Sequence, residues 1–141
     1  MLIMAIDPGT KTGTVLAEFH QGNLIPTVIR HDEIDQALAL DAVWAFVHRQ
    51  DEEQLVVVCE AFSYRSGRTQ TAQYAHLEVI GAVRWMCRQR GVRLVMQKVG
   101  DAKQIKDVRA YVRGGDGHAR DAARHLVLFC QSLEPKDFAV S

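Results

Sequence analysis

The order of apolar and polar positions divides the chain into short units. "LIMAI" (residues 2–6) is an unbroken apolar run stopped by Asp-Pro-Gly, the pattern of a buried strand entering a turn. "TVLAEFH" and "LIPTVIR" flank "QGN" and predict an antiparallel hairpin, with Pro26 confined to the start or edge of its strand. "DEIDQALALDAVWAFVHRQ" predicts a helix capped by Asp32, with Ile34, Leu38 and Val47 on its apolar face. "QLVVVCEAF" is too uniformly apolar for an exposed edge and predicts a central buried strand. After the polar loop "SYRSGRTQT", "AQYAHLEVIGAVRWMCRQRG" predicts a helix closed by Gly91. Its Ala75, Val79, Ala82 and Met86 lie on one side and Leu77 and Trp85 on another, so the helix is either sandwiched in the core or half buried against a partner chain. "VRLVMQKV" predicts a strand, "DAKQIKDVRAYVR" a short basic helix, and "HARDAARHLVLFCQSL" the last helix. A hairpin followed by alternating strands and helices predicts an α/β fold, with a mixed sheet flanked by helices.

Length and composition narrow the class. At 141 residues the chain suits one domain, residues 1–141, with a core of its own. No run approaches the roughly 18 apolar residues of a membrane span, and "MLIMAIDPG" lacks the basic start of a signal peptide. Cys59, Cys87 and Cys130 are odd in number and far apart, without zinc-type spacing, and read as buried thiols of a cytoplasmic protein. Neither an internal repeat nor a low-complexity tract is present.

Net charge is zero, yet its distribution is uneven. Residues 1–63 hold three Lys/Arg against ten Asp/Glu, a balance of −7. Residues 64–113 hold eleven against three, a balance of +8. That asymmetry points to a surface facing a polyanion.

Two acids stand where solvation disfavours them. Asp7 follows a buried strand and Glu60 ends the most apolar one. An ionised carboxylate there must border a cleft, be paired or bind a cation. An Asp-Pro-Gly turn gives Asp7 an alternative task as a turn cap, whereas a strand end gives Glu60 none. "GGDGHARDAARHLVLF" supplies partners: His118 and Asp121 share a helix face, His125 lies one turn on, and Arg120 and Arg124 fall elsewhere. Asp116 is the natural cap of this helix. Three carboxylates and an imidazole make a hard, oxygen-rich site suited to Mg²⁺ or Mn²⁺. Two such ions ~3.5–4 Å apart activate water and stabilise the leaving oxygen of a phosphodiester. The imidazole has two available roles, metal ligand or general base.

"AIDPGTKTG", "VVVCEAF", "TAQYAHLEVIGAV" and "HARDAARHLVLF", in that order, make the chain similar to RuvC-type Holliday junction resolvases, especially the compact bacteriophage versions, within the ribonuclease H-like superfamily. The resemblance implies a metal-dependent endonuclease that nicks branched DNA symmetrically as a homodimer. Asp7, Glu60 and Asp121 match the family's metal-binding acids, and His118 matches a position held by Asp or His. An aromatic residue just after the strand-end Glu contacts the junction in the family, and Phe62 and Tyr64 are both candidates. Stacking on an unpaired base is worth roughly 1–3 kcal/mol. Arg65, Arg68, Lys98, Lys103 and Lys106 are candidate phosphate contacts, which add affinity without sequence information. The glycine-containing, lysine-rich segment of longer members is compressed here to "VGDAKQIKDVRAYVRGGDG", so their sequence preference does not carry over.

"DPGTKTG" also resembles YqgF-type RNA-processing nucleases, but those generally lack the strand-end acid and the His-x-x-Asp helix. Actin-like ATPases use a similar turn but need two such domains. A catalytically silent branched-DNA-binding protein would have lost a ligand, and all four are present.

Overall fold

The computed structural model describes residues 1–50, 53–114 and 117–138. Five strands, β1 (Leu2–Asp7), β2 (Lys11–Glu18), β3 (Thr27–Asp35), β4 (Leu55–Glu60) and β5 (Arg93–Gln97), form one sheet in the order β3-β2-β1-β4-β5. The β1-β2 and β2-β3 pairs are antiparallel, whereas β1-β4 and β4-β5 are parallel. The helices are α1 (Gln36–Val47), α2 (Gln70–Arg90), α3 (Val99–Ala102) and α4 (Gly117–Ser132). No described helix is long and apolar enough to cross a membrane.

Strand alternation sorts the core into two layers. Ile3, Ala5, Val15, Ala17, Val56 and Val58 pack against Ala119, Ala122, Ala123, Leu126 and Phe129 of α4. Leu2, Met4, Ile6, Val57 and Cys59 point the other way, against Val43, Phe46 and Val47 of α1 and Val79, Val83 and Cys87 of α2. The central strands β1 and β4 are therefore apolar on both sides, the reason for their continuous apolar runs.

Local sequence chemistry sets several boundaries. Thr69 caps α2 by accepting from the Ala72 N–H at 3.2 Å, and Gly91 ends it in the left-handed conformation at φ 64°. Pro26 precedes β3, an edge strand, as its missing N–H requires.

Three expectations are corrected. Asp32 does not cap a helix: β3 continues to Asp35 because β2 offers it partners along its whole length, including Thr14↔Asp32 and Lys11↔Asp35. Ladder pairing here overrides the weak strand preference of an Asp/Glu-rich stretch. Helix α1 accordingly buries Ala39, Val43, Phe46 and Val47, leaving Leu38 exposed and Ile34 in the strand. The basic helix shrinks to α3, after which the chain runs through turns to Val112. Asp107 accepts from the Arg109 N–H at 3.0 Å, a local bond that competes with helix formation. Val108 and Val112 still enter the α4-side core at the four-residue spacing that imitates a helix. Asp116, the expected cap of α4, lies outside the described residues.

Gly13 sets how closely α4 approaches the sheet. A Cβ there would collide with the His118 carbonyl, and would also lie 2.6 Å from the Ala119 nitrogen. Backbone cannot yield as a side-chain tip can. Gly13→Ala is therefore expected to cost at least about 1–3 kcal/mol, the range for overpacking. Gly81→Ala on α2, where nothing lies within 4 Å of the added carbon, is expected to stabilise by about 0.5–1 kcal/mol. Urea denaturation checks both, and equal stabilities of the two variants would contradict the close approach.

Candidate active site

Strand register builds the site. Gln97 pairs with Glu60, Ile6 with Cys59 and Asp7 with Gly13, and Gly13 pairs with Glu33. Asp7 and Glu60 thus end adjacent parallel strands side by side. By the two-residue alternation they share the face of Ala5 and Val58, the one α4 covers. Gln97, Glu60, Asp7, Gly13 and Glu33 form a transverse row, one residue from each strand, beneath the N-terminal half of α4.

Helix α4 lays two histidines over this row. His118 Nδ1 lies 2.9 Å from Asp7 Oδ2, and the His118 backbone N–H donates to Glu33 Oε1 at 3.0 Å. Two turns on, His125 Nε2 lies 3.0 Å from Glu60 Oε2 and Nδ1 lies 2.8 Å from Gln97 Oε1. An ionised carboxylate only accepts, so Nε2 carries the proton that His125 shares with Glu60. Asp121, on the same side of α4, accepts from Arg124 Nη1 at 2.7 Å.

These groups border a cleft of about 460 Å³ lined by Asp7, Glu60, His118, Asp121, His125 and His76, with Lys11, Arg65, Arg68, Lys103 and Arg124 among its cations. Asp7 is 5 % exposed and Glu60 7 %. Burial, and the nearby Glu60 and Asp121 charges, push Asp7 up to about 6 despite its bond to His118. Burial opposes ionisation of Glu60 as well, but the His125 hydrogen bond and the neighbouring imidazoles outweigh it and hold Glu60 below its ordinary value. The Asp7 hydrogen bond raises His118, whereas burial lowers His76. The two strand-end acids are thus driven apart in acidity. Among the described residues, no three His, Cys, Asp or Glu side chains form a ready-made metal cage.

Asp7, Glu60, His118 and Asp121 all line the one cleft, as do Arg65, Arg68 and Lys103. Lys98 and Lys106 do not line it; Lys106 borders a separate basic hollow with Arg109 and Arg120. Tyr64 is 74 % exposed, whereas Phe62 packs its ring edge-on against His76, 5.7 Å between centroids. Arg124, expected on a different side from Asp121, reaches back along the helix to bond it, because its long side chain spans the i,i+3 step. Sequence reasoning missed Gln97, Glu33 and His76. Gln97 and Glu33 become visible only once the strand register is known. The ring Nε2 of His76 is buried without a hydrogen-bond partner among the described residues.

No family model matches the chain, and no curated protein matches it in sequence. Solved structures do. RuvC of T. thermophilus in complex with a Holliday junction substrate superposes with a TM-score of 0.71 at 18 % identity, over 91 % of each chain. Another Thermus thermophilus RuvC structure gives 0.64 at 18 % identity, over 91 % of this chain and 92 % of that one. The Fowlpox virus resolvase in complex with its substrate Holliday junction DNA gives 0.59 at 13 % identity, over 93 % of this chain and 99 % of that one. The chain shares the fold of these resolvases, a mixed five-stranded sheet flanked by helices.

Proposed function

We propose that this chain is a divalent-metal-dependent endonuclease that cuts phosphodiesters of branched DNA, resolving four-way junctions by paired symmetric nicks. The observation that carries this reading is the pair of buried acids at adjacent strand ends, facing His118 and Asp121 across a cleft rimmed by cations. The similarity in fold to two resolvases solved with Holliday junction DNA supports the substrate class. Free, buried cysteines are in keeping with a cytoplasmic setting.

The donor set fits Mg²⁺ or Mn²⁺, singly or as a pair. Three carboxylates and an imidazole border one cleft, and the burial and neighbouring negative charge that raise Asp7 are what a bound cation would offset. Asp7, Glu60 and Asp121, with His118, would hold the metal, which when bound supplies an activated water and stabilises the leaving oxygen. His118 shares a proton with Asp7 through Nδ1, so it is available as a ligand or as a proton carrier for the attacking water. Arg65, Arg68 and Lys103 hold the DNA backbone at the rim. Tyr64, the more exposed of the two aromatic candidates, is free to stack on an unpaired base, whereas Phe62 supports His76.

A homodimer would bring two such clefts to one junction. Tyr74, Leu77 and Trp85 of α2 are exposed, and Trp85 stacks on Trp44 of α1 at 6.2 Å, so the helix layer presents an apolar strip. A dimer mass by light scattering is expected, falling to monomer in Leu77→Glu/Trp85→Glu; a monomeric wild-type chain would refute it.

Asp7→Asn and Glu60→Gln are expected to abolish cleavage while leaving junction binding measurable and steeply salt-dependent, because binding rests on phosphate contacts. Four-way junctions, flaps, plain duplex and RNA–DNA hybrid, each with Mn²⁺ or Mg²⁺, test the substrate. Symmetric nicks in the junction are expected, whereas preferential RNA cleavage would favour the RNA-processing reading. Binding without any cutting would favour a silent binding protein.

The raised Asp7 also has a consequence for stability. Its folded value is about 6 against an ordinary 3.8, so ionising it costs stability progressively as pH rises through that window, and fully above it. A shift of this size is on the order of 2–3 kcal/mol. In metal-free buffer Asp7→Asn is therefore expected to melt higher than wild type at pH 7.5, with the gap closing towards pH 4. A gap that stayed constant with pH would contradict the raised Asp7, which burial and the neighbouring acids together produce.

A further inference from the structure

We infer that His125, backed by Gln97, is a positioning residue that fixes the Glu60 carboxylate for metal binding, an inference that rests on the nuclease reading above. His125 is 1 % exposed, so an imidazole has replaced the apolar side chain that this face of α4 otherwise presents to the sheet. A buried ring in an apolar layer needs partners for both nitrogens, and it has them: Nε2 lies 3.0 Å from Glu60 Oε2, and Nδ1 lies 2.8 Å from the side-chain amide of Gln97, whose NH₂ group, turned toward the ring, donates to the unprotonated nitrogen. Gln97 sits on β5 opposite Glu60 on β4, so the strand register sets the spacing that one imidazole bridges.

This chain of contacts does something that a merely satisfied core histidine does not. Glu60 ends its strand, and its side chain has rotamers to choose among beside the cleft. The His125 Nε2–H takes one oxygen and fixes the carboxylate plane while Glu60 still lines the cleft. Gln97 in turn fixes the ring through Nδ1, so the orientation is carried from a strand backbone through two side chains to the acid. Asp7 has no such support from the core, because its imidazole partner, His118, is itself half exposed.

The test uses the full chain and titration calorimetry with Mn²⁺ alone, in the absence of DNA, beside single-turnover cleavage and junction binding without divalent ions. His125→Leu is expected to stay folded by circular dichroism and to weaken Mn²⁺ binding by about 10–100-fold, the usual effect of losing a ligand's hydrogen-bonded support. Its cleavage rate should fall alongside, with junction affinity unchanged. His125→Gln, whose amide can still donate to Glu60, should recover most of the Mn²⁺ affinity. Gln97→Leu, which leaves His125 and Glu60 in place, should lose about threefold to tenfold and serves as the deciding variant if His125→Leu does not fold. Mn²⁺ affinity and cleavage rate within twofold of wild type in folded His125→Leu, or in Gln97→Leu, would overturn the positioning role. Glu60→Gln separates the two ideas: if it cuts like wild type the nuclease site itself is wrong, whereas if it is dead and His125→Leu is not, only the positioning role fails.

Discussion

Five strands each place one residue in a single row across the sheet, and helix α4 must lie close enough to touch that row. Gly13 makes this possible. It is the one member without a side chain, and the backbone at His118 and Ala119 occupies the space a Cβ would need. The helix therefore meets the sheet near the middle of the row, with His118 over Asp7 and Glu33 on one side and His125 over Glu60 and Gln97 on the other. A larger residue at position 13 would lift the helix start and separate each imidazole from its carboxylate. Packing distance and site geometry are thus one constraint.

Burying two carboxylates at the edge of an apolar core is costly unless each finds compensation. The fold supplies this locally, with one imidazole for each acid, while the remainder of both sheet faces stays apolar. The compensation is unequal. His125 is enclosed by the core and holds Glu60 ionised, whereas half-exposed His118 does not offset the burial and neighbouring charge on Asp7. Two strand-end carboxyl groups thereby acquire different acidities.

Much of this was legible in the sequence because solvation dictates it. An Asp closing one apolar run and a Glu closing another were conspicuous without coordinates, and the i,i+3 spacing of His118 and Asp121 followed from helix geometry. Less was visible where tertiary pairing overrides local preference. Asp32 and Glu33 look like the start of a helix, but β2 draws them into a strand, and so Glu33 reaches the backbone of His118. Gln97 had no sequence signal at all. A polar residue ending a strand is ordinary, and its role depends on standing opposite Glu60 across two chain segments with α2 between them. Arg124 was misplaced for another reason: it follows Asp121 by three residues, the spacing that shares a helix face, and so its guanidinium bonds the Asp121 carboxylate and lines the cleft.

The charge asymmetry along the chain acquires a spatial meaning from the same topology. The acidic first half contributes β1 and β4, and hence Asp7 and Glu60, to the cleft, and β3, whose Glu33 holds the His118 backbone beside it. The basic segment contributes the loop before α2 and the turn after α3, so Arg65, Arg68 and Lys103 stand at the rim. Acids at the floor and cations at the rim suit a ligand that is itself layered, with a polyanionic backbone at the rim and divalent ions below. A uniformly basic cleft would bind the same backbone without gathering cations beneath it, and a uniformly acidic one would gather cations but repel the backbone. Under the proposed nuclease reading, the separation of the two signs, strand ends below and loops above, would let one small cleft do both.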